Sequence, residues 1–141
     1  RQMCIRDSSV ICNLISFLIN KGNEVTDHGA YEYDALDDYP DFIFPCARAV
    51  ASDPLSRGII LGGSGQGEAM AANRVKGVRA AVFYNGPIDI IKLSREHNNA
   101  NILSIGARFM SEDEIRGVLD VWFNEPFGGE RHQRRIDKLD L

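Results

Sequence analysis

The segment Gly58–Asn73 reads GIILGGSGQGEAMAAN: an apolar run, a glycine-dense loop, then an alanine-rich stretch with a carboxylate, Glu68, near its start. Backbone N–H groups in a tight glycine turn form a concavity that holds an anion, and the N-terminus of a helix adds to that field. The bound anion need not be a phosphate, since a developing enolate oxygen is held by the same donors. Gly62 to Gly67 has the glycine spacing of a phosphate-binding P-loop, but Glu68 stands where lysine is required. The dinucleotide fingerprint GxGxxG fails as well, because Gly63, Gly65 and Gly67 alternate. Taken alone, an acid in a first helical turn more often does no more than complement the helix dipole. Three alternating glycines around Ser64 exceed what a turn needs and point to ligand contact.

Other residues able to do chemistry are scattered. His97, in Arg95-Glu-His-Asn-Asn-Ala-Asn101, has a side chain suited to proton transfer, although a helix-end histidine is usually structural. Arg108 follows a strand end and could pair an anion. Arg131, His132, Arg134 and Arg135 cluster near the C-terminus, either as a solvated tail or as a phosphate clamp. Tyr39 lies in an acidic loop, where packing is the commoner role.

The elements that must position these groups follow from periodicity. Val10–Lys21 has helical apolar spacing and a Lys-Gly stop. Residues 24–27 form a short strand candidate, and residues 31–41 an acidic loop. A helix follows from about Asp41 to Ala51, with Pro45 placed near its first turn, where a missing N–H costs little. Cys46, among Phe44, Ala47 and Val50, is expected in the core. Strands are expected at 58–61, 78–83 and 101–105, and helices at 66–74, 87–97 and 111–123. Met70 and its neighbouring alanines are expected to pack helix against sheet. Ser111 and Glu114 have capping-box spacing at the start of the last helix. Alternating strands and helices at this pitch predict a three-layer αβα sandwich with a parallel, doubly wound, Rossmann-like sheet. Ligands of such sheets gather at the carboxyl ends of strands, where both the glycine loop and Arg108 fall.

The 141 residues suit a single domain, with 44% hydrophobic and 26% charged residues. The net charge of −4 argues against nucleic acid held by bulk electrostatics. No apolar run has spanning length, and no signal peptide stands out, so a membrane partner is not expected. Cys4, Cys12 and Cys46 lack CxxC spacing, and their odd count fits a reducing, cytoplasmic setting better than a disulfide framework. No metal-ligand spacing is present.

Asp38-Tyr-Pro-Asp41, Gly58–Asn73, Arg95–Asn101, Gly106-Ala-Arg108 and Gly128–Asp137, taken in this order, resemble the type B ribose-5-phosphate isomerase family, which includes the galactose-6-phosphate isomerase subunits. The likeness runs from about Val10 to the C-terminus. It implies aldose–ketose isomerisation of ribose 5-phosphate and ribulose 5-phosphate through a cis-enediolate, with no metal or cofactor. One branch of the family has a cysteine base at the position of Gly62; the other has a glutamate at the position of Glu68, and this chain has the second pattern. The resemblance then implies that Glu68 shuttles the proton between C1 and C2. The amides of Gly63, Gly65 and Gly67 hold the enediolate, with Ser64 nearby. His97 assists ring opening, Asn98 supports the substrate oxygens and Tyr39 lines the site. Arg108, Arg131 and Arg135 take the phosphate, some of them from a partner subunit in a homodimer or tetramer with shared active sites.

One departure stands out. The family opens with a strand followed by an Asp-His pair, and no such pair stands at that place; Asp27-His28 follows the second strand and does not correspond. Residues 1–8 are mostly polar, resemble translated sequencing adapter and lead straight into a helix. They are read as a non-native leader, with residues 9–141 as the isomerase domain and the first strand missing. The alternatives are isomerisation of galactose 6-phosphate, allose 6-phosphate or a tetrulose phosphate, or a non-catalytic phosphosugar-binding module. A nucleotide-binding domain is disfavoured, because a carboxylate beside a polyphosphate is repulsive.

Overall fold

The computed structural model describes residues 2–5, 8–32 and 34–141. Its elements run β1 (Gln2–Ile5), α1 (Ser8–Asn20), β2 (Thr26–Asp27), α2 (Pro40–Ser52), β3 (Gly58–Gly62), α3 (Gln66–Ala72), β4 (Ala80–Phe83), α4 (Ile88–Glu96), β5 (Ile102–Gly106), α5 (Glu112–Asn124) and α6 (Arg131–Ile136). The five strands form one parallel sheet in the order β2-β1-β3-β5-β4.

The central strands β3 and β5 are buried along their whole length, as their continuous apolar runs GIILG and ILSIG require. Alternate side chains feed the two faces. On one, Ile59, Leu61, Leu103 and Ile105 meet α1, α4 and α5, with Trp122 fully buried. On the other, Ile60 and Ile102 meet α2 and α3 through Ile43, Cys46, Ala47 and Ala72. Helices on both faces of a parallel sheet give the three-layer sandwich that the periodicity predicts. The capping box of α5 is present, Ser111 accepting from the Glu114 amide at 3.2 Å and Glu114 from the Ser111 amide at 3.1 Å.

Several expectations need correction. A first strand is present: β1 pairs in parallel with both β2 and β3, Gln2 opposite Gly58 through Ile5 opposite Leu61. Strand pairing is a backbone interaction, so unpaired N–H and C=O groups between two neighbours recruit an extended segment whatever its polarity. The place where an Asp-His pair would follow, residues 6 and 7, lies outside the described residues. Pro45 sits in the second turn of α2, because Pro40 and not Asp41 opens that helix. Pro40 takes the N1 position that favours proline, and Pro45 removes one internal hydrogen bond. Met70 is 66% exposed, whereas Ala69, Ala71 and Ala72 are buried. Three small side chains suffice to seat α3 close to the sheet, so the long one faces outward.

Candidate active site

The glycine loop leaves β3 at its carboxyl end and enters α3. Gly65 occupies the left-handed region, φ +76°, which accommodates glycine without steric cost. Among the described residues, the amides of Ser64, Gly65, Gly67 and Glu68 donate no hydrogen bond to the backbone, and none of the four donates to a side chain. Consecutive unpaired N–H groups in such a turn form an anion cradle.

The cradle is braced by close contacts from its neighbours, the tightest against backbone being at Gly106. Ser104, fully buried in β5, donates its hydroxyl to the Gly65 carbonyl at 2.7 Å. A Cβ on Gly106 would lie 2.8 Å from the Ser64 carbonyl oxygen and 2.6 Å from Tyr84 Cβ. A Cβ on Gly67 would lie 2.7 Å from the Tyr39 hydroxyl, which places half-buried Tyr39 directly over the loop. The Arg108 amide donates to the Gly63 carbonyl at 3.2 Å, and a Cβ on Gly63 would lie 3.0 Å from Arg108 Nη2. Arg108 thus lies against the loop, with its side chain exposed to the mouth.

Glu68 is 8% exposed and folds back against Gly62. Its carboxylate occupies the volume that a side chain at position 62 would fill. A base at position 62 and a carboxylate at position 68 therefore compete for one space, and glycine at 62 is what admits Glu68. An open cavity of about 310 Å³ adjoins this point, walled by Gly62, Gly63, Arg108, Val10 and Glu112. It lies at the carboxyl ends of β3 and β5, the end of the strands at which open α/β sheets take their ligands.

The remaining candidates lie at the other end of the sheet. His97 caps α4, and Ala100 and Asn101 then lead into β5. The Asn101 carbonyl accepts from the amide of Gly58, the first residue of β3. Five residues of β3 separate that point from the glycine loop, a span of about 13 Å. Within one chain His97 and Glu68 are therefore not neighbours.

The C-terminal segment is not a free tail. The Gly128 amide donates to the Glu96 carbonyl at 2.9 Å, and the rings of His97 and His132 stack with centroids 4.4 Å apart and planes 14° from parallel. Partial desolvation, then the neighbouring His97, Arg131 and Arg135, hold His132 below the usual imidazole pKa, with Glu96 opposing. Arg131 and Arg135 are exposed on α6, beside His97. Asn98 is exposed and lines a separate cavity with Asn73, Arg79 and Asp140. The sequence reading gave no role to Ser104 or Tyr84. A serine in the middle of a buried apolar strand was the available signal for the first; nothing local marks the second. Among the described residues no group of three or more His, Cys, Asp or Glu could hold a metal ion, and no helix is long and apolar enough to cross a membrane.

A parallel doubly wound sheet, with an amide cradle at one strand end and a buried carboxylate beside it, defines an α/β domain built for an anionic small molecule and proton transfer. Residues 9–139 match the sequence profile of the Ribose/Galactose Isomerase family, and the chain belongs to that family. It is 43% identical over 127 residues to ribose-5-phosphate isomerase B of Mycolicibacterium paratuberculosis, covering 89% of this chain and 79% of the relative. It is 42% identical over 123 residues to a probable ribose-5-phosphate isomerase B of Mycoplasma genitalium, covering 86% and 80%. Among solved structures, ribose-5-phosphate isomerase B from Mycoplasma genitalium with bound ribulose 5-phosphate superposes with a TM-score of 0.90 at 37% identity, over 98% of this chain and 92% of that one. The Thermotoga maritima enzyme superposes with a TM-score of 0.87 at 36% identity, over 99% and 97%.

Proposed function

We propose that the chain is an aldose–ketose isomerase that interconverts ribose 5-phosphate and ribulose 5-phosphate. The observation that carries this reading is the buried carboxylate of Glu68 packed against Gly62, beside the unpaired amides of the loop. Family membership and the ribulose 5-phosphate bound by the Mycoplasma genitalium structure support the substrate class.

The reaction moves one proton between adjacent carbons. Glu68 takes the proton from C2 of the open-chain aldose as the C1 carbonyl oxygen gains negative charge. The amides of Ser64, Gly65 and Gly67 stabilise that oxygen in the enediolate. Return of the proton to C1 gives the ketose, and the hydroxyl proton shifts between the two oxygens. Arg108, at the mouth of the cavity, is the phosphate-binding guanidinium nearest the cradle, and Tyr39 lines the sugar.

His97, Asn98, Arg131 and Arg135 serve this reaction from a second copy of the chain. About 13 Å of strand separates them from Glu68 within one copy, so each complete site draws on two subunits of a dimer or tetramer. A cytoplasmic setting belongs to the same reading and is supported by the free thiols of Cys12 and Cys46.

The test is isomerisation of ribose 5-phosphate by the wild-type chain and by Glu68→Gln. A positioned general base contributes about 10²- to 10⁴-fold, so kcat should fall by that factor while phosphosugar binding persists. Undiminished turnover in Glu68→Gln would remove the base assignment. Binding without turnover in the wild type would favour a phosphosugar-binding module.

A further inference from the structure

Helix α6 has six residues, and no side chain caps its start, where Gly129 and Glu130 both have positive φ, +66° and +51°. A helix that short does not persist in water by itself, so contacts from outside must hold it. At its start the Gly128 amide donates to the Glu96 carbonyl, and the His132 ring stacks on His97. Beyond its far end, Asp140 Oδ2 accepts from the Gly77 amide at 2.8 Å.

Gly77 is a fixed point for that second tether. It lies in the turn between α3 and β4, with φ +87°. Its carbonyl accepts from Asn101 Nδ2 at 2.9 Å and from Arg79 Nη1 at 3.3 Å. The Asn101 side chain also accepts from the Arg79 amide at 2.7 Å. The peptide that Asp140 meets is thus tied to the approaches of both β4 and β5. Burial lowers the Arg79 pKa, and the Asp140 carboxylate opposes that, so the same side chain also favours the charged guanidinium. Leu139 and Asp140 line one cavity with Asn98, which sets this end of the segment beside a residue of the candidate site.

Arg131 and Arg135 lie between the two tethers, exposed and four residues apart, and so share one side of α6. Release of either tether lets the short helix swing and carries both guanidiniums with it. We propose that Asp140 is a positioning residue for the isomerisation: by accepting from the Gly77 amide it fixes the far end of α6 and holds Arg131 and Arg135 where they meet the substrate phosphate. The proposal rests on the reading that these two arginines take the phosphate.

The test is steady-state isomerisation of ribose 5-phosphate by the full chain. In Asp140→Ala the docked fraction of α6 falls, and an affinity that requires the docked state weakens by that fraction. KM should rise by about three- to tenfold, the net contribution of one ordinary hydrogen bond. The value of kcat should be retained, because bound substrate selects the docked helix. Asp140→Asn keeps an acceptor oxygen and should restore most of the loss. Added to Arg131→Ala/Arg135→Ala, the Asp140→Ala change should raise KM no further, since the groups it positions are gone. An unmoved KM in Asp140→Ala, or an equal rise in both backgrounds, would overturn the proposal. If Arg131→Ala/Arg135→Ala itself leaves KM unchanged, the phosphate assignment falls and this proposal with it. If that pair raises KM and Asp140→Ala does not, the proposal alone falls.

Discussion

The two ends of the parallel sheet handle charge in different ways. At the carboxyl ends of β3 and β5, the proposed anion site is built from backbone amides and missing side chains. Gly62, Gly65, Gly67 and Gly106 each stand where a Cβ would strike a neighbour, and Ser104 pins the loop from within the sheet. At the amino ends, charge is carried on long side chains: Arg131 and Arg135 on a short helix, and Arg57, Arg79 and Arg95 tied to carbonyls. A backbone cradle is fixed by the fold and tolerates almost no change. A side-chain cluster such as that of α6 tolerates change structurally, and any loss appears in binding.

That contrast can be broken most sharply at Gly62. In Gly62→Ala the new methyl meets the Glu68 carboxylate and displaces it. A misplaced catalytic group costs about 10²-fold in kcat, with the fold retained by circular dichroism. A chain that kept full activity would show that Glu68 does not work from its buried position.

The second experiment joins the two ends. Glu68→Gln and His97→Asn are each expected to be inactive. Mixed and allowed to exchange subunits, they should recover about a quarter of wild-type activity, since half of randomly formed dimers carry one intact site of two. No recovery would mean that the ends do not meet across an interface.

A smaller effect is expected from pH. His132 has a folded pKa below its unfolded value, so the unfolded chain binds the proton more readily. The stability contributed by neutral His132 is therefore present above about pH 6.5 and is lost as pH falls through the lower folded pKa. Docking of α6 on His97 should loosen over that window, read from histidine ring resonances, whereas the amides of residues 64–68 should stay unchanged. The smallest effect is that of Arg135→Ala on stability, within about 0.5 kcal/mol by urea denaturation, because the side chain is exposed; its KM should rise nonetheless.

Most of the scaffold was legible in the sequence, because the buried strands β3 and β5 are unbroken apolar runs bounded by glycine and polar turns. The capping box of α5 marked its helix start to the residue. Errors fell where local pattern is silent. Residues 1–8 read as mostly polar, which hid the short apolar run Met3-Cys4-Ile5 within them, and the pairing of Gln2–Ile5 uses backbone groups and two neighbours to satisfy. Met70 looked like core among alanines, but facing inward is settled by rotation about the helix axis and not by composition. Tyr84 gave no signal, because its contact with Gly106 joins turns from two strands.

By itself the sequence determined the alternation of strands and helices, the glycine loop with its carboxylate, and the basic segment near the C-terminus. These are encoded by periodicity, by the conformational freedom of glycine and by charge, all of which are local. Only the tertiary structure decided that Glu68 lies in the space vacated at Gly62, that Ser104 holds the cradle shut, and that His97 faces away from both. Those relations depend on which strands lie side by side and how far each runs, and no stretch of chain carries that information alone.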